Sequence, residues 1–184
     1  KKVGSGLFLV RPGRRDSTMP LLELQMKCEL EGLAKLDLDD GTRLNIKARF
    51  SNGETHDNLW IDRKEEVEVP GSKGTANLLV KPPGGGKKPA SIKIESKGYP
   101  EYKAGDGWKT FAVLDCRGLE VTDWVIHHEG FTAETPGGQT VDDIEFEDGE
   151  YYGYDEKAES ETSIKSIETR VVLSKAGKKG KKKK

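Results

Sequence analysis

Between Leu22 and Cys28 every second residue is apolar, and this period of two constrains the fold more than any other feature of the chain. Leu22, Leu24, Met26 and Cys28 share one face, with Glu23, Gln25 and Lys27 on the other, as in a strand with one side buried. Leu44, Ile46, Ala48 and Phe50 repeat the alternation against Arg43, Asn45, Lys47 and Arg49. Shorter versions follow at Val67 and Val69, Leu78 and Val80, Ile92 and Ile94, Phe111 and Val113, and Ile144 and Phe146. Asp40-Gly41, Asn52-Gly53 and Asp148-Gly149 supply turns suited to hairpins. Thr162, Ser163, Ile164, Ile167 and the run Thr169–Leu173 predict a final strand rather than a helical turn over 156–169. With 22 glycines and only 33% hydrophobic residues, the chain favours short strands and many turns over long helices. The expected class is all-β and mainly antiparallel.

Two segments read as linkers. Pro82–Pro89 cannot hold a regular ladder, because its prolines lack donors and its glycines lack packing atoms. The stretch 96–108, with Gly98, Pro100, Gly105 and Gly107, separates an N-terminal lobe at 19–95 from a C-terminal lobe at 109–173. A short echo between Leu24–Cys28 and Val113–Cys116 leaves two readings open, related β-lobes or coincidence. Residues 1–18 read as a flexible extension before a natural start at Met19, with a targeting arm as the alternative.

The net charge of −1 conceals a division. The segment 174–184 carries seven lysines and no acid, and is expected to be a solvated tail. Between Asp115 and Glu168 there are 16 acids against three bases, a surface that repels nucleic acid. No run approaches the ~20 apolar residues of a membrane span. Cys28 and Cys116 stand alone, which suits a reducing compartment. The expected location is cytoplasmic, with the nucleus as a second option.

Six elements together carry a resemblance. They are Leu24–Leu33, Glu54-Thr55-His56 ahead of Trp60, Gly71–Asn77, Phe111–Glu120, Gly130–Ala133 and Tyr154–Lys157. In combination the chain from Met19 to Leu173 resembles the CXXC-motif-containing zinc-binding proteins, a small eukaryotic family. The resemblance implies an elongated antiparallel β fold with two similar halves and one zinc held by two CXXC pairs in the N-terminal half. Four thiolates in two such pairs suit tetrahedral zinc, since each short turn aims two sulfurs at one point. The corresponding positions here are Arg49 and Asn52, or with a shift of one residue Phe50 and Gly53, and then Pro82 and Gly85. None offers a thiolate, and an amide oxygen is a poor zinc ligand. Phe50 is expected to pack where the metal would sit, with Pro82–Pro89 closing the loop by lowering unfolded-state entropy. No cofactor is expected.

Other constellations read more simply. Adjacent His127 and His128 on a strand point to opposite faces and do not share an ion with Asp123 or Glu129. His56, beside Glu54 and Asp57, reads as structural. Cys116 between Asp115 and Arg117 is read as a core thiol, as is Cys28. Gly84–Gly86 with Lys87 and Lys88 lack the spacing of a phosphate loop. With no visible set of nucleophile, base and orienting group, an enzyme is not expected. The expected function is that of a non-enzymatic binding or adaptor protein with a protein partner. Its candidate surface is Tyr151, Tyr152 and Tyr154 with Asp155 and Glu156, since tyrosine supplies contact area with few rotors. An alternative is a nucleic-acid- or ribosome-associated accessory acting through Lys178, Lys179, Lys181, Lys182, Lys183 and Lys184, which would give weak, nonspecific polyanion binding. A further alternative is zinc held by unforeseen ligands.

Overall fold

The computed structural model describes residues 20–85, 88–127, 130–142 and 144–175. The extension 1–18 with Met19, the lysines 178–184, His128, Glu129 and the Gly86-Lys87 step lie outside the described residues. The strands in chain order are β1 (Leu22–Glu31), β2 (Lys35–Leu38), β3 (Leu44–Phe50), β4 (Thr55–Ile61), β5 (Val67–Glu68) and β6 (Thr75–Ala76). They continue with β7 (Leu78–Val80), β8 (Ala90–Ile94), β9 (Tyr102–Lys103), β10 (Lys109–Arg117) and β11 (Leu119–Val125). The last four are β12 (Phe131–Glu134), β13 (Thr140–Val141), β14 (Tyr151–Asp155) and β15 (Ser160–Leu173).

Every pairing between these strands is antiparallel, and the fold is all-β. One six-stranded sheet runs β14-β15-β1-β10-β8-β7; a second holds β11-β3-β4 and a third β13-β12-β2-β9. Strands from both sides of 96–108 therefore pair within each of these sheets, so the stretches 19–95 and 109–173 are woven together. β9 itself lies inside the stretch read as a linker. The two segments of the short echo are neighbours, with Leu22 opposite Leu114 and Leu24 opposite Ala112. A single cluster containing Leu24, Met26, Ile46, Ile92, Leu114 and Ile164 forms the core. Burying each such side chain is worth about 1.5–3 kcal/mol.

Alternation located the inward face of β1 and β3, but irregularities shift it elsewhere. The β1–β10 register slips between Leu24 and Gln25, so Phe111 is an extra residue on β10. From there the buried set is Ala112, Leu114 and Cys116, and Val113 faces away from it. Ile144 and Phe146 turn inward, Phe146 meeting the Phe131 ring edge-on at 5.5 Å, yet they lie in no strand and only a bridge joins Glu147 to Glu150. Asp40-Gly41 links β2 to β3, which sit in different sheets, so it closes no hairpin. Asn52-Gly53 does close the β3–β4 hairpin. Asp148 and Gly149 both take positive φ, at 50° and 83°.

Candidate functional site

The segments where the resemblance places the metal ligands come together in space. The turn from Phe50 to Gly53 is closed by the Gly53 N–H donating to the Phe50 carbonyl at 2.9 Å. The turn from Pro82 to Gly85 is closed in the same way, Gly85 N–H to Pro82 carbonyl at 3.3 Å. Asn52 bridges them. Its Nδ2 donates to the Pro83 carbonyl at 3.1 Å and to Glu54 Oε2 at 2.6 Å, while its Oδ1 accepts from the Glu54 N–H at 3.1 Å. The Glu54 carboxylate lies so near Gly84 that a Cβ there would approach both oxygens to 3.3 Å. Two short turns facing each other are what a pair of metal knuckles needs, but here one amide clasps them, steadied by the Glu54 carboxylate on its own turn.

The donor chemistry excludes zinc at these positions. Arg49 is exposed and its Nη2 pairs with Glu120 Oε2 across the β3–β11 ladder at 2.9 Å. Asn52 spends its amide on the clasp. Pro82, Gly85 and Gly53 have no side-chain donor. Phe50 is 2% exposed, opposite Leu119 in the core. Among the described residues no group of three or more His, Cys, Asp or Glu is arranged to hold a metal. Both cysteines are buried elsewhere, their thiols pushed up to about 12 by burial, with Asp115 adding to the effect at Cys116.

The Cys116–Glu120 element, more than 60 residues from the first of these loops in sequence, abuts it. Gly118, at φ +78°, makes the sharp turn between β10 and β11, and its carbonyl accepts from Ser51 N–H at 3.2 Å and Ser51 Oγ at 3.0 Å. The specific part of the resemblance is thus the strap that holds the first turn. Sequence order hid this, because nothing in residues 116–120 announces that β11 pairs with β3.

The tyrosine-rich segment forms β14, an outer strand of the six-stranded sheet. Tyr152 and Tyr154 are 64% and 56% exposed; Glu156 is exposed too. Tyr151 is half-buried against the core, and Asp155 is 3% exposed. Asp155 Oδ1 accepts from the Lys157 and Ala158 N–H groups at 2.9 and 3.1 Å. The Ala158 bond is the main cause that holds this carboxyl below its ordinary range. Asp155 therefore builds the β14–β15 turn and offers no free carboxylate, and Lys157 meets it through the main chain.

The histidines part company. His56 is exposed, its Nδ1 accepting from Asn58 N–H at 3.4 Å. His127 meets Trp60 edge-on at 5.2 Å, and the Arg43 guanidinium lies 5.4 Å over the same indole. Together with Asp142 and Glu145 they line a depression of about 870 Å³ that no motif of the chain announces.

The fold agrees with comparisons against known proteins. A UPF0587 protein of Schizosaccharomyces pombe is 37% identical over 149 residues, 79% of this chain and 93% of that one. A Homo sapiens protein described as a CXXC motif containing zinc binding protein is 30% identical over 155 residues, 81% and 96% of the two chains. The solved structure of a hypothetical protein from Plasmodium falciparum superposes with a TM-score of 0.74 at 28% identity, covering 84% of this chain and all of the other. The family model for the eukaryotic CXXC motif containing zinc binding proteins matches residues 23–172. The chain belongs to that family, although its two lone cysteines, Cys28 and Cys116, form no CXXC motif.

Proposed function

We propose that this chain is a non-enzymatic, intracellular binding module that works without a zinc ion. The observation that supports it is the clasp: at the paired turns where the resemblance places the thiolates, the Asn52 amide joins the segments by its bond to the Pro83 carbonyl, and Glu54 holds that amide in place. A metal has no task left there. The first turn belongs to a hairpin already fixed by the β3–β4 ladder and by Gly118, and the Phe50 ring adds burial. The absence of catalysis is supported by the two thiols, both buried and pushed far above neutrality, which rules them out as ready nucleophiles.

Two measurements test the reading. Elemental analysis of the purified chain is expected to find no stoichiometric zinc, and melting curves with and without a strong chelator are expected to coincide. Structural zinc contributes on the order of 10–16 kcal/mol in zinc-finger peptides, so its removal would be unmistakable. One equivalent of zinc, or a large chelator-induced drop in Tm, overturns the proposal.

A further inference from the structure

β14 ends the six-stranded sheet, and no backbone hydrogen bond among the described residues joins it to anything but β15. One side of its ladder is thus open to another strand. On its outer face Tyr152 and Tyr154 stand across from Ser163 and Glu161 on β15. These four, with Gly153, Thr162, Glu31 and Lys165, line a depression of about 390 Å³.

The molecule already shows what this face accepts. The Lys165 ammonium sits 5.4 Å over the Tyr152 ring and is held by Glu31 at 2.8 Å, an aromatic face and a carboxylate gripping one lysine. Tyr154 and Glu161 offer the same pair of groups one step along the strand, with no cation between them among the described residues. From Asp142 to Glu161 the sequence holds ten acids and one lysine, a field that draws in positive chains and repels acidic ones.

Building on the reading of the chain as a binding module, we propose that β14 takes up an extended, lysine- or arginine-rich segment of a partner protein as an added strand. The backbone of that segment completes the ladder along Tyr151–Asp155. One of its cationic side chains lies on Tyr154 beside Glu161, as Lys165 lies on Tyr152 beside Glu31. Strand addition supplies affinity through main-chain bonds, and the alternate side-chain sites supply selectivity.

The test uses the full chain and a fluorescein-labelled peptide alternating lysine with threonine, read by anisotropy at low salt. The wild type is expected to bind this peptide and to ignore a glutamate–threonine counterpart. Tyr154→Ala and Glu161→Gln are each expected to weaken binding about five- to tenfold, the scale of one cation–π or charged contact. N-methylation of alternate peptide bonds, which keeps the charge and removes ladder donors, is expected to abolish it. No binding by the wild type, unchanged affinity in both variants, or full binding of the N-methylated peptide overturns the proposal. Self-association of the chain that Tyr154→Ala abolishes also overturns it, since the edge would then serve a second copy. Repeating the titration after chelation separates this proposal from the metal-free reading. Binding that is lost only on chelation sinks the latter and leaves the assignment of the edge intact.

Discussion

The Tyr102 hydroxyl meets both main-chain groups of Cys28, accepting from its N–H at 3.1 Å and sharing its one proton between the carbonyls of Cys28, at 3.0 Å, and Asp106, at 2.5 Å. Cys28 sits where β1 loses its neighbours. Its pairing with β10 ends at Met26, and its pairing with β15 slips between Lys27 and Glu29, opposite Ser166 at φ 52°. A phenol from 74 residues away thus does the work of a missing strand, and Tyr102 is fully buried in doing so.

Tyr102→Phe is accordingly expected to destabilise the fold by about 1–3 kcal/mol, the cost of leaving buried backbone groups unpaired. Urea denaturation would show a lower midpoint at unchanged slope.

The clasp makes a weaker but more telling prediction. Asn52→Ala removes the link to Pro83, and is expected to cost about 0.5–1.5 kcal/mol. The loss should be the same with and without added zinc or chelator. A loss that zinc repairs would show a metal bound between the two turns.

Gly118→Ala tests the strap. At φ +78° a Cβ is strained, and it would also approach Ala90 to 3.3 Å. A loss of about 1–3 kcal/mol is expected, greater than for Gly107→Ala, where a Cβ meets nothing within 4 Å. Thermal melts of the two variants make the comparison.

Asp155 gives a pH signature. Its carboxyl is held below the ordinary value of 3.8, chiefly by the Ala158 N–H. The folded state therefore binds its proton less readily than the unfolded chain. Its contribution is fully present above the ordinary value and is lost as pH falls through the lower folded one. Asp155→Asn keeps an acceptor and removes the charge, so the variant is expected to melt below the wild type at neutral pH. The gap should close as the solution is acidified below the usual carboxylate range.

The cysteines give a chemical one. With thiols pushed up to about 12, neither Cys28 nor Cys116 is expected to react with a mild thiol reagent at neutral pH until the chain is unfolded. Rapid labelling of native Cys116 would restore a redox role and weaken the non-enzymatic reading.

What the sequence determined by itself was the class of fold, the inward faces of β1 and β3, and the absence of thiolates at the family's positions. Those follow from period two and from residue identity, which are local properties. Tertiary structure decided the rest. The bulge at Phe111 moved the inward face of β10, because a register slip leaves no trace in composition. The interleaving of strands around 96–108 made neighbours of segments that look like separate lobes. Asp155 stands in sequence beside three tyrosines, and only the folded turn claims its carboxylate, through main-chain donors whose direction depends on φ and ψ alone. Tyr152 and Tyr154 were legible as tyrosines, but their standing on an open sheet edge depends on which strands pair, and Gly118 became the strap of the first turn only when β11 lay down beside β3.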